Sequence, residues 1–200
     1  MARGERLALR RGLCAVALLL GFAPAYGVAD EMDLERLMAS MAKPRQRHAT
    51  FVEERRVGAL TEPLRTSGRL EYRAPSWFAR YTEAPVEERL VVDNDSLLIE
   101  RPAEGVRRSL DLAGQPELRA IVEAIRAPLS GDTTTLRAQF DVALSGDERS
   151  WRLDLRPRTA EARALILGVV LEGAGDEVLA IETFEANGDS AHMRITPIRP

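Results

Sequence analysis

Apolar residues recur along the chain at two periods, and the period separates helices from strands. In "DEMDLERLMASMAKP", Leu34, Leu37, Met38 and Met41 fall at i, i+3, i+4 and i+7. Asp30 or Asp33 can cap the start and Pro44 stops the run, so the stretch predicts an amphipathic helix over residues 33–43. "QPELRAIVEAIRAPLSG" repeats the spacing with Leu118, Ile121, Val122 and Ile125. Pro116 suits a first helical turn, and Pro128 with Gly131 end a helix predicted over 116–126.

Most of the remainder reads as strand. "TTTLRAQFDVAL" puts Leu136, Phe140, Val142 and Leu144 on one face and Arg137, Gln139 and Asp141 on the other. "SWRLDLR" alternates Trp151, Leu153 and Leu155 with charged residues, and the two segments predict an antiparallel hairpin with one wet and one apolar face. "ALILGVVLEG" and "EVLAIETFEA" flank a Gly-rich turn, and "AHMRITP" adds a last short strand. "SGRLEYRAPSWFARYTEAP" holds two runs split by Pro75 and gathers Tyr72, Trp77, Phe78 and Tyr81 in a chain that is only 5% aromatic. No Pro- or Gly-rich linker divides the chain. The pattern predicts one domain over residues 30–200, a meandering antiparallel sheet with two helices laid against it.

Such a sheet is apolar on one face, which must be covered. If it closes on its own side chains the interior is a packed core; if it curls part way under the helices, the same residues line a cavity. Periodicity alone leaves both open.

The first residues change the picture of the compartment. "MARGERLALRR" is basic and "GLCAVALLLGFA" is an apolar run too short for a comfortable membrane span, followed by small residues at Ala23 and Ala25, or Gly27 and Ala29. This predicts a cleaved secretory signal over residues 1–29, with cleavage after Ala25 or Ala29. Cys14, the single cysteine, lies inside it, which leaves the mature chain without disulfides, cysteine metal sites or a thiol nucleophile. Loss of four Arg and one Glu takes the net charge from −3 to −6. Arginines interleaved with acids give no basic face for nucleic acid.

Catalytic chemistry is missing from the sequence. There is no G-x-S-x-G or H-E-x-x-H motif, and the two histidines, His48 and His192, stand alone. Asp93 and Asp95 in "VVDNDS" lack the glycine and distal glutamate of an EF-hand loop and read as a turn. "EGAGDE" reads as a hairpin turn, and the adjacent pairs Glu53–Glu54 and Glu87–Glu88 point to opposite faces of their strands. No metal, cofactor or catalytic residue is expected, and the enzyme reading finds no nominee.

From His48 to Pro102 the chain resembles the LolA-type outer-membrane lipoprotein carriers of Gram-negative bacteria. The resemblance runs through His48, Ala49 and Phe51, Gly68 and Leu70, Pro75, Phe78 and Pro85, "LVVD" ending in Asp93, and Pro102. It implies an incomplete, strongly curved antiparallel β-barrel closed by a lid of two or three short helices over an apolar, acyl-binding cavity. On that basis Leu34, Leu37, Met38, Met41, Ile121, Val122 and Ile125 are the candidate lid face, and Phe51, Leu70, Tyr72, Phe78 and Phe140 the candidate lining. Methionine suits a surface that repacks between empty and loaded states.

The chain also departs from the family. The carriers place a lid-latching arginine directly before the proline, where this chain has Ala74; Arg73 is the nearest arginine and the latch candidate. A one-residue shift on a strand turns a side chain to the other face. Arg80 stands where the family has tryptophan, Leu98 where an aromatic is common, and Asn94 replaces a turn glycine, which asparagine can do in a left-handed conformation. The expectation is a divergent, monomeric periplasmic carrier that sequesters acyl chains of a lipid or lipoprotein between an inner-membrane donor and an outer-membrane acceptor. The alternative is an envelope sensor or interaction module of the same fold without cargo.

Overall fold

In a computed structural model that describes residues 33–199, the chain forms a single curved sheet with helices on one side. The predicted signal segment lies outside the described residues. Strands β1 (Gln46–Arg56), β2 (Leu64–Arg73), β3 (Trp77–Ala84), β4 (Glu88–Asp93), β5 (Ser96–Arg101) and β6 (Val106–Asp111) form one antiparallel meander. Strands β7 (Phe140–Asp147), β8 (Ser150–Pro157), β9 (Ile166–Ala174), β10 (Glu177–Glu185) and β11 (Ser190–Ile198) form a second. The meanders join where β1 pairs with β11, from His48 opposite Ile198 to Arg56 opposite Ser190. Strands β6 and β7 are left as the two edges, and the open, curved sheet matches the predicted incomplete barrel.

The segment that travels from one edge to the other carries two helices: α2 (Pro116–Ser130) and α3 (Thr133–Gln139) lie between β6 and β7 in sequence. Helix α1 (Leu34–Met41) precedes β1, and a one-turn helix α4 (Ala160–Arg163) joins β8 to β9. Leu34, Leu37, Met38 and Met41 of α1 are all buried, as their spacing predicts. Asp33 occupies the N-cap position of α1, although its side chain makes no capping bond.

Two expectations are corrected. Helix α2 runs past residue 126 to Ser130 with Pro128 inside it, because a proline this close to the end removes only one terminal hydrogen bond. Gly131, at φ +74°, supplies the left-handed residue that ends the helix. The segment "TTTLRAQ" is helix α3 rather than strand. Asp132 caps it by accepting from the Thr135 amide at 2.9 Å and its hydroxyl at 2.7 Å, which outweighs the β propensity of three threonines. Leu136 and Phe140, four residues apart, fit helical spacing as well as alternation, and the strand begins only at Phe140.

Turns fall where the sequence put them. Asn94 takes φ +53° in the β4–β5 turn, and "EGAGDE" is the β9–β10 hairpin with Gly175 at φ +57°. Pro75 sits in the β2–β3 turn, and the bonds before Pro75 and Pro85 are cis.

The helices cover the concave face unevenly. Helices α1 to α4 pack over β7–β9 in a large core of Leu37, Met38, Leu136, Phe140, Leu153 and Leu171, each at most 1% exposed. Ala120, Ala124 and Ala127 of α2 belong to it, and their small side chains let α2 lie close to its neighbours. A second core on the other meander joins Val92 and Leu112 to Val122 of α2, with Phe78, Leu97 and Leu118 against it.

Trp151 fixes the β8–β9–β10 corner. Its indole donates to the Gly175 carbonyl at 3.0 Å, and its ring covers Gly173, where a Cβ would stand 2.3 Å from the ring and 2.1 Å from the Glu177 carbonyl. Gly173→Ala is therefore expected to lower unfolding free energy by about 1–3 kcal/mol, whereas Gly114→Ala, with nothing within 4 Å of its Cβ, leaves the urea midpoint nearly unchanged.

Candidate functional site

Between the two cores the concave face is not filled. A cavity of about 250 Å³ lies under Ile125 and Leu129 of α2, against Leu70 of β2, Phe78 of β3, Ile181 of β10 and Met193 of β11. Gln46, Arg47, Asp176, Glu177 and Arg199 give it a polar rim. Its size is slightly below the ~300–1,000 Å³ of most ligand clefts.

Each strand contributes alternate residues to this face. Cross-strand register places Arg47 beside Tyr72 and Tyr72 beside Phe78, then Ala49 beside Leu70 and Leu70 beside Arg80. Of the residues predicted to bind, Leu70, Tyr72, Phe78 and Ile125 line the cavity. Leu34, Leu37, Met38, Met41 and Phe140 are packed in the larger core with Ile121 against it, and Val122 is in the smaller one. Phe51 is buried in the wall with the Arg80 guanidinium 4.7 Å above its ring centre. Leu129, Ile181 and Met193 were not anticipated. Leu129 had a signal, since it follows Ile125 by four residues; the strand residues depend on the β1–β11 pairing, which periodicity does not encode.

The latch expectation is also answered by geometry. Arg73 points to the convex side, where it stacks on Trp77 at 3.8 Å from the ring centre and approaches Glu71 at 3.8 Å; its side chain is 55% exposed. The alternation of the strand is the reason: Tyr72 takes the concave face, so Arg73 cannot. Sheet and helices are tied by other arginines. Arg47 donates to the Met41 carbonyl at the end of α1 at 2.8 Å, a cation at a helix C-terminus, and lies 3.5 Å from Asp176. Arg126 of α2 donates to the Asn94 carbonyl at 2.6 Å and pairs with the buried Glu123, while Arg119 holds Asp95 at 2.6 Å.

Burial pushes the Arg47 guanidinium below the usual arginine range, opposed by Asp176, Tyr72 and Glu177. Burial likewise raises the Tyr72 phenol, against the pull of Arg47, Arg45 and Arg126. Arg47 therefore stays cationic beside a neutral phenol at physiological pH. Among the described residues no group of three or more His, Cys, Asp or Glu is placed to hold a metal ion, and no helix is long and apolar enough to cross a membrane.

Arg47→Leu is expected to speed amide exchange in α1 by about tenfold or more, the worth of a charge-assisted hydrogen bond. Arg73→Leu leaves that exchange unchanged; hydrogen exchange read by mass spectrometry separates the two.

Residues 26–196 match the family described as outer membrane lipoprotein carrier protein LolA-like. An outer-membrane lipoprotein carrier protein of Pseudomonas putida is 28% identical over 154 residues, covering 76% of this chain and 70% of that protein. Its counterpart in Pseudomonas syringae is 26% identical over 155 residues, with the same coverage of 76% and 70%. Among solved structures, a LolA superfamily protein from Nitrosomonas europaea gives a TM-score of 0.47 at 8% identity, covering 84% of this chain and 92% of that one. A chain of the Pseudomonas aeruginosa MucA/MucB complex gives 0.43 at 16% identity, covering 82% and 54%. A family match over most of the chain, on a curved open sheet with helices across its concave face, makes this chain a divergent member of the LolA-like outer-membrane lipoprotein carrier family.

Proposed function

We propose that this protein is a periplasmic carrier, exported by a cleaved signal over residues 1–29, that hides acyl chains of a lipid, lipoprotein or lipidated intermediate. The observation that carries the reading is the cavity beneath α2, bounded by Leu70, Phe78, Ile125, Leu129, Ile181 and Met193, in a chain of this family. Its mechanism is sequestration without bond-making. Each methylene removed from water is worth about 0.8 kcal/mol, so even a partly enclosed chain binds usefully. Arg47 and Arg126 hold the helical cover to the sheet; displacing α1 and α2 would lengthen the cavity for a longer chain. An inner-membrane donor and an outer-membrane acceptor would load and unload a monomer.

A second reading has an observation in its favour. Leu37 and Met41 of α1 are fully buried and Met38 is 1% exposed, so much of the interior is a packed core. A sensor or interaction module of the same fold would need no more space than this.

Native mass spectrometry of protein isolated from its own periplasm is the deciding measurement. A single bound amphiphile is expected, and Leu70→Glu or Ile125→Glu should abolish both its retention and the binding of N-phenylnaphthylamine while far-UV circular dichroism stays the same. An unliganded mass together with no fluorophore binding overturns the carrier reading. A stoichiometric protein partner without lipid favours the second.

A further inference from the structure

The apolar floor of the cavity ends on a buried ion pair that neither lid attachment nor the hydrophobic cores use. Glu53 of β1 and Arg80 of β3 meet across β2 in a bidentate contact, at 2.9 Å and 3.2 Å, and Arg80 also donates to the Thr66 hydroxyl at 3.2 Å. Their side chains are 11% and 22% exposed. Gly68 stands between them on β2, opposite Phe51 and Thr82, where a Cβ would come 1.9 Å from the Tyr81 carbonyl oxygen, and the guanidinium lies over the Phe51 ring.

The pair does not itself line the cavity but adjoins residues that do. Leu70, directly opposite Arg80, and Met193, directly opposite Glu53, are both lining residues. Two donors at this border are unspent: Arg80 Nε and the Thr82 hydroxyl are buried and have no hydrogen-bond partner, and Thr82 is only 5% exposed. A buried donor left unpaired costs about 1–3 kcal/mol, a standing reason for an acceptor to enter.

The charge balance says which acceptor. Glu53 already neutralises Arg80, so an anion arriving here would meet a site of no net charge and lose its hydration without compensation. An uncharged carbonyl oxygen needs only the two donors. We propose that Arg80 and Thr82, held by Glu53 and Thr66, form a polar subsite for the ester or amide carbonyl of an acylated ligand whose hydrocarbon chain lies in the cavity. The inference rests on the acyl-chain reading of that cavity and adds where the polar linkage sits.

Competition with N-phenylnaphthylamine tests it with three probes of similar length: nonane, methyl octanoate and octanoate. Methyl octanoate should displace the fluorophore at concentrations about three- to tenfold lower than nonane, the worth of one net hydrogen bond. Thr82→Val should cut that ratio about threefold without lowering the thermal midpoint, because the hydroxyl has no partner to lose. Arg80→Met paired with Glu53→Gln should reduce the ratio further. If all three probes fail to displace the fluorophore, the acyl-chain reading falls and the subsite with it. If nonane binds as well as the ester, or the ester's advantage survives Thr82→Val and the paired variant, the subsite is overturned while the cavity stands. Octanoate binding tighter than the ester also overturns it, in favour of an anion site.

Discussion

The structure depends on the ladder between β1 and β11. Every other strand pairs with its neighbour in sequence, so two meanders of local contacts would otherwise hang free. The ladder joins residues well over a hundred positions apart and fixes how far the two edge strands lie from each other. Because α2 and α3 occur in the chain between β6 and β7, the polypeptide must pass from one edge to the other, and the shortest passage crosses the concave face. The helical cover is thus a consequence of topology, and only its fit depends on side chains.

That fit is uneven for a reason visible on α2. Its alanines at 120, 124 and 127 allow close approach over β7–β9, while Leu118 and Val122 reach the β4–β5 side. A straight helix resting on two arms of a curved sheet cannot also touch the floor between them. The space left under Ile125 and Leu129 lies above the β1–β11 seam and its neighbours, so the cavity and the ladder have one origin. Filling it would take larger side chains at Ala49 or Leu70, which would remove the cavity without changing the fold.

The parts of this arrangement legible in the sequence are those that one element decides. Leu34, Leu37, Met38 and Met41 had to share a helix face, and Trp151, Leu153 and Leu155 a strand face, whatever lay opposite. Helix α3 is hidden in the sequence because alternation and i, i+4 spacing coincide at Leu136 and Phe140, and the capping aspartate is what separates them. The arginines were harder. The sequence nominates Arg73 as the latch and gives no reason to single out Arg47; the alternation around Tyr72 and the end of α1 over β1 put Arg47, not Arg73, against the helix. Arg80 and Glu53 are 27 residues apart with a whole strand between them, and no local pattern in the sequence pairs them.

Two half-buried arginines set the reach of the apolar surface. Arg47 stands at one limit, against the α1 carboxyl end and Asp176, and Arg80 at the other, against Glu53. Between them the face of β1 and β2 offers Ala49, Leu70 and Phe51, with Gly68. Replacing a buried ion pair by hydrocarbon of similar volume is often neutral or stabilising, so stability alone does not call for Glu53 and Arg80. Their presence makes the floor end at a defined row of the sheet. A purely apolar floor has no defined length along its strands, whereas one bounded by polar groups on both sides has a length set by the rows of Arg47 and Arg80.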